Sequence, residues 1–118
     1  MFRYVLFCLI GCLFGVVTGL TPGLHVNTVC VMGLSMYSRI GVDELEFALA
    51  MVCMSVTHTF LDYIPAIFIG VPEESTALSV LPTHRLVLEG KAFDAVKITA
   101  TGSLLGLVYS IVLMVPML

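Results

Sequence analysis

Charge is what this sequence lacks most. Of its 118 residues only 11% are Asp, Glu, Lys or Arg, where soluble domains carry about a quarter. A short chain has a large surface to cover, so the deficit cannot be hidden in a larger core. With 59% hydrophobic residues and a mean hydropathy of +1.11, an integral membrane protein is the economical reading. Basic residues are few, five against eight acids for a net charge of −3. No basic, aromatic-rich stretch points to nucleic acid. Cysteine is sparse too. Cys8, Cys12, Cys30 and Cys53 all sit in apolar segments, as small buried residues do, and form no disulfide frame. Cys8 and Cys12 stand at i, i+4 and share a helix face, but two thiols without a matched third ligand are a weak soft-metal pair. The three scattered histidines lack metal spacing as well, so no metal or cofactor is expected. Neither a nucleophile elbow nor a zinc motif is present, which excludes the familiar hydrolases; no enzyme is expected.

What is present is long apolar runs, interrupted in two places. Residues 1–118 read as a single membrane unit: helix-break-helix over 4–37, a polar loop at 38–46, helix-break-helix over 47–82, a loop at 83–97, and a helix over 98–118. The runs 4–20, 47–69 and 98–118 are long enough to cross a bilayer at about 1.5 Å per residue. Arg3 followed by Tyr4–Ile10 has the look of a signal peptide. No small-x-small cleavage site follows, so it reads as a retained membrane helix. Gly102 and Gly106 form a Gly-x-x-x-Gly pattern that allows close helix approach.

The first break is Gly19-Leu20-Thr21-Pro22-Gly23 and the second is Gly70-Val71-Pro72-Glu73-Glu74-Ser75. Irregular backbone at membrane depth is tolerated where it is buried in protein or lines a polar cavity, and transporters build substrate sites that way. A new helix is expected at each break, because Pro suits a first helical turn. The free N–H groups of a helix start can hold an anion, and Gly23 allows close backbone approach. Asn27, Thr28, Ser75 and Thr76 add neutral hydrogen bonds. Such a set suits a carboxylate without the desolvation cost of a buried arginine.

Other polar residues suggest ion coupling. Glu73 and Glu74 favour a helix start and are candidates for a proton or sodium site. His58 and Asp62, at i, i+4, share a face and are candidates for a proton relay, since ionisable groups inside a span are costly and functional by default. His25 adjoins the first break and is expected to face its cavity; His84 reads as a loop residue.

The five basic residues fall in three places: Arg3, Arg39, and the set Arg85, Lys91 and Lys97. Whether the hairpins are re-entrant or fully spanning, these places lie on one side, which the positive-inside rule assigns to the cytoplasm. The final helix ends on the opposite side. A second copy of the unit would start inverted, as in inverted-repeat transporters.

These residues also carry a family resemblance. Gly19-Leu20-Thr21-Pro22-Gly23-Leu24-His25-Val26-Asn27-Thr28 resembles the Gly-x-x-Pro-Gly-x-x-x-x-Thr break of TctA, the large membrane subunit of the tripartite tricarboxylate transporter. Pro72-Glu73-Glu74-Ser75, Leu81-Pro82, Gly90-Lys91-Ala92 and Gly102-Ser103 resemble that family's second block, in the manner of its divergent archaeal branch. Two departures stand out: Glu73 replaces the usual Gly after Pro, and Leu81-Pro82-Thr83 replaces Leu-Asp-Gly. The resemblance covers only the first of the family's two related halves. It implies a permease for a citrate-like organic anion, driven by a proton or sodium gradient. It also implies a second half in cis or in trans, a homodimer included, with a small membrane subunit and an extracytoplasmic binding protein as partners.

The expectation is therefore an all-α integral membrane protein of the multi-pass type, with broken or re-entrant helical hairpins plus spanning helices. It would be one unit of an inverted-repeat transporter in the cell membrane. Thr21, Pro22, Gly23, Asn27 and Thr28 would form one lobe of the substrate site, and Pro72, Ser75 and Thr76 the other. Glu73, Glu74, His58 and Asp62 would serve ion coupling. The alternative is a non-transporting membrane scaffold or accessory subunit held to its partner by the Gly102/Gly106 face. A membrane-embedded hydrolase using His58, Asp62 and Glu73 ranks third.

Overall fold

The computed structural model describes residues 2–71 and 76–117 and is all-helical over them. Six α-helices follow in order: α1 (Phe2–Gly19), α2 (Val26–Ile40), α3 (Glu44–Leu61), α4 (Tyr63–Ile69), α5 (Ala77–Leu88) and α6 (Ala92–Met114), with a 3₁₀ turn at Val115–Met117. Three stretches, Phe2–Gly19, Glu44–Ile69 and Ala92–Met114, are long and apolar enough to cross a membrane. Residues 1–65 and 66–118 form two separate units.

The first unit is organised by glycine. On α1 the buried residues are Gly11, Gly15, Thr18 and Gly19, a stripe of period four that leaves Leu9, Leu13, Phe14 and Val17 facing outward. A Cβ added at Gly11 would stand 2.2 Å from the Ala50 carbonyl oxygen, at Gly15 2.6 Å from that of Met54, and at Gly19 2.8 Å from that of His58. The two backbones touch along this seam, as small-x-x-x-small spacing permits. Contact advances in step on both helices, so α1 and α3 run parallel. Arg3 confirms the direction from the other end. Its Nη2 donates to Glu46 Oε2 at 3.0 Å and its Nε lies 3.0 Å from Oε1.

Parallel helices need a return path, and α2 provides it. It packs antiparallel on α3: Tyr37 stacks at 4.9 Å on Phe47, Gly33 lies against Met51, and the Cys30 thiol sits 3.6 Å from the Ser55 hydroxyl. With 15 residues it is about 22 Å long, less than a hydrocarbon core of about 30 Å. The break at 20–25 precedes α2 and the turn at 41–43 follows it, so they lie at opposite ends of the unit. At the second of these ends Asp43 caps α3, accepting from the Leu45 N–H at 3.2 Å. Glu44 and Glu46 in the first turn complement the helix dipole. At the other end of α3, Pro65 has no N–H to give the Leu61 carbonyl, and the helix interrupts at Asp62 before α4.

The second unit buries Ile67, Val80 and Ala95 completely. The buried positions of α5 and its N-cap, Thr76, Val80 and Thr83, keep helical spacing. That spacing explains a difference from the sequence reading, which ended the apolar hairpin at Pro82. The helix continues through Pro82 to Leu88 with Pro82 inside it, and the Thr83 hydroxyl donates back to the carbonyls of Ser79 and Val80. The polar loop expected over 83–97 contracts to residues 89–91, since α6 begins at Ala92.

Candidate functional site

The first break closes α1 and opens α2. Leu20 N–H returns to Val16 O at 3.1 Å, Thr21 N–H to Thr18 O at 3.3 Å, and the Thr21 hydroxyl donates to Val17 O at 2.7 Å. Thr21 thus serves the orphan carbonyls of α1, which are a helix end's unmet acceptors. Gly23 adopts φ +83°, a left-handed conformation that glycine takes without strain. Helix α2 starts later than the sequence suggested. Its N-cap is His25, in extended conformation and without a side-chain cap, while Thr28 and Val29 N–H both return to the His25 carbonyl. Pro22 and Gly23 therefore lie in the turn ahead of the helix, outside its first turn. The unclaimed donors of the helix start are the N–H groups of Val26 and Asn27. Thr21, Pro22, Gly23, Asn27 and Thr28 are all exposed, so this end of the unit presents amide, hydroxyl and N–H groups together.

One turn inside the seam lies a buried polar pair that the sequence reading found only in part. His58 is 4% exposed and Thr18 7%. His58 Nδ1 is 3.0 Å from Thr18 Oγ1, and that hydroxyl spends its proton on Phe14 O at 2.9 Å. Asp62, half-buried, ends the helix with its N–H on the His58 carbonyl at 2.9 Å. The Gly11-x-x-x-Gly15-x-x-x-Gly19 spacing was the available signal for this seam, and Thr18 lies within it.

At the second break, Pro72, Glu73, Glu74 and Ser75 lie outside the described residues. Gly70 ends α4 at φ +73°, its N–H on Ala66 O at 2.8 Å. His84 is not a loop residue: from α5 its Nδ1–H donates to the Ile67 carbonyl at 2.7 Å, and its ring covers Gly70 so closely that an added Cβ would meet Nε2 at 2.6 Å. Thr76 is buried and caps α5, its carbonyl accepting from Ser79 and Val80 N–H.

An open groove of about 440 Å³ runs between α5 and α6, lined in part by Ser79, Pro82, Thr83, Thr99, Gly102 and Ser103. The Ser79, Thr83 and Thr99 hydroxyls donate into their own helices, to the carbonyls of Thr76, Ser79 and Ala95. They offer the groove lone pairs, which repel a carboxylate. Among the described residues, the first break presents the N–H groups of a helix start together with the Asn27 and Thr28 side chains. No described atom of this chain lies within 4 Å of a Cβ added at Gly102 or Gly106, whereas Gly11, Gly15 and Gly19 are in close backbone contact with α3.

Three membrane-length apolar helices, a glycine-welded parallel pair and an interrupted span define an α-helical integral membrane protein. No solved structure matches the chain. It is 36% identical over 110 residues to an uncharacterized protein of Methanocaldococcus jannaschii, an alignment covering 92% of this chain and 27% of that protein. The chain thus spans about a quarter of the relative it matches. The model of the tripartite tricarboxylate transporter TctA family matches residues 5–118, and the chain belongs to that family.

Proposed function

We propose that this chain contributes one half of the translocation site of a secondary transporter for an organic anion such as a tricarboxylate, coupled to a proton or sodium gradient. The observation that carries this reading is the first break. The helix-start N–H donors of Val26 and Asn27, with the exposed side chains of Asn27 and Thr28, gather at one end of the closely packed α1–α3 pair. Partial positive charge at a helix start favours a carboxylate. Thr21, Pro22 and Gly23 shape its approach, and Pro72, Ser75 and Thr76 are assigned to the second lobe. Glu73, Glu74, His58 and Asp62 are the coupling candidates. His58 is buried in the seam with its ring on the Thr18 hydroxyl, and an imidazole inside a span supports a proton role. A second half, in cis or as a second copy, completes the site. The small membrane subunit and an extracytoplasmic binding protein act with it, and the basic loops face the cytoplasm.

Uptake into proteoliposomes tests this. Purified protein, with its genomic neighbours, should accumulate labelled citrate or a related carboxylate under a proton or sodium gradient. Asn27→Ala should raise the half-saturating concentration about tenfold, the equivalent of one lost hydrogen bond to a charged group. Failure to move any organic anion at any pH or sodium level refutes the proposal.

A further inference from the structure

The second break leaves the end of α4 and returns at the head of α5, and one side chain ties the two helices together behind it. Ile67 lies in the last turn of α4, where helix carbonyls run out of intrahelical N–H partners. The residue is fully buried, so its carbonyl must be met from within the protein. His84, from within α5, meets it with Nδ1 at 2.7 Å. A carbonyl only accepts, so Nδ1 carries the hydrogen. The edge of the ring that holds Nε2 lies against Gly70, where a φ of +73° turns the chain out of α4. At the far end of the break Thr76 is buried, and its carbonyl receives the N–H groups of Ser79 and Val80 at 3.0 and 2.9 Å. Val80, one turn before His84, is fully buried too. Each end of the break is thus fixed in its own helix, and His84 fixes one helix to the other.

We propose that His84 is a positioning residue for transport. It holds Gly70 and Thr76 at a set separation, and so keeps the second lobe of the substrate site, assigned to Pro72, Ser75 and Thr76, in its binding arrangement. The inference rests on the transporter reading given above. Without the bond the binding arrangement is only fractionally populated, and apparent affinity falls by that fraction. The role demands a donor at the δ position of the side chain. Asn carries its amide nitrogen where His carries Nδ1, whereas Gln carries it one carbon farther out, near the place of Nε2. The two amides therefore separate this role from mere polarity.

The test is uptake of radiolabelled citrate and succinate by the full chain in proteoliposomes, with its genomic neighbours, at matched protein content. His84→Ala should raise the half-saturating concentration at least about twofold and up to about fivefold, the equivalent of one neutral hydrogen bond. Its maximal rate should stay within about twofold of wild type. A side chain that merely stabilised the fold would lower the maximal rate, through fewer intact copies, and leave half-saturation alone. His84→Asn should restore the wild-type value, and His84→Gln should resemble His84→Ala. Should His84→Ala fail to accumulate, the Asn and Gln variants decide. Nitrogen NMR of histidine-labelled protein in lipid, with the His84 signals assigned by their loss in His84→Asn, should show the hydrogen on Nδ1. Wild-type vesicles that move neither carboxylate overturn the transport reading and this proposal with it. Wild-type uptake with unchanged half-saturation in His84→Ala, rescue by Gln rather than Asn, or a His84 hydrogen on Nε2 alone overturns the positioning role and leaves the transport reading standing.

Discussion

Gly11→Ala is the sharpest perturbation this fold offers. The new methyl carbon would stand 2.2 Å from the Ala50 carbonyl oxygen and 2.9 Å from its Cα. Both atoms are backbone inside a helix, so neither can swing aside. Relief requires α1 and α3 to part by about 1 Å, and a gap of that size forfeits roughly a quarter to a half of the dispersion energy of each contact along the seam. Overpacking of this kind costs about 1–3 kcal/mol and occasionally more, and Gly11 belongs at the upper end. Gly15→Ala (2.6 Å) and Gly19→Ala (2.8 Å) should follow in that order. Gly102→Ala meets nothing within 4 Å and should be neutral or stabilising by up to about 1 kcal/mol, through helix propensity. The sequence contains no tryptophan, so thermal unfolding in detergent is best followed with a thiol-reactive coumarin maleimide reporting on the half-buried cysteines. Equal melting temperatures for Gly11→Ala and Gly102→Ala would show that the seam is not the contact described here.

Thr18→Val removes the hydroxyl partner of the buried His58 Nδ1 and should destabilise by about 1–3 kcal/mol. Thr18→Ser should retain most of the stability, and the same melting assay distinguishes them. Gly70→Ala should fail twice, through its positive φ and through collision with the His84 ring. In a double-mutant cycle His84→Ala should relieve the steric part and leave the backbone part, so additive effects would refute the contact. Arg3→Ala leaves the Glu46 carboxylate, only 4% exposed, without its bidentate partner. It should destabilise more than Glu46→Gln, which removes the charge instead, and a reversed order in chemical unfolding would show that Arg3 is dispensable.

Hydropathy placed the spans, and Pro and Gly placed the first break correctly to within a few residues. The misreadings have local causes. The apolar hairpin ends at 82 in the sequence because polar residues become frequent there, yet the burial period through Val80 and Thr83 carries α5 past Pro82 to Leu88. Gly102 and Gly106 were singled out over Gly11, Gly15 and Gly19, although the longer stripe was equally visible in the sequence. Spacing states that a face is small and leaves open which partner comes to it. The His58 environment was half legible: its placement in a span marked it, but Thr18 lies forty residues away and nothing in the spacing pairs them.

By itself the sequence determined the membrane class, the number of apolar runs and the family, because transfer of apolar residues to lipid is a sum over positions and motifs are read along the chain. Tertiary structure alone decided that α1 and α3 run parallel, that their backbones touch, and that Thr18 meets His58. Within lipid every outward face is equally apolar, so hydropathy cannot choose between faces. Close packing at glycine makes that choice, and it depends on the shapes of two helices together.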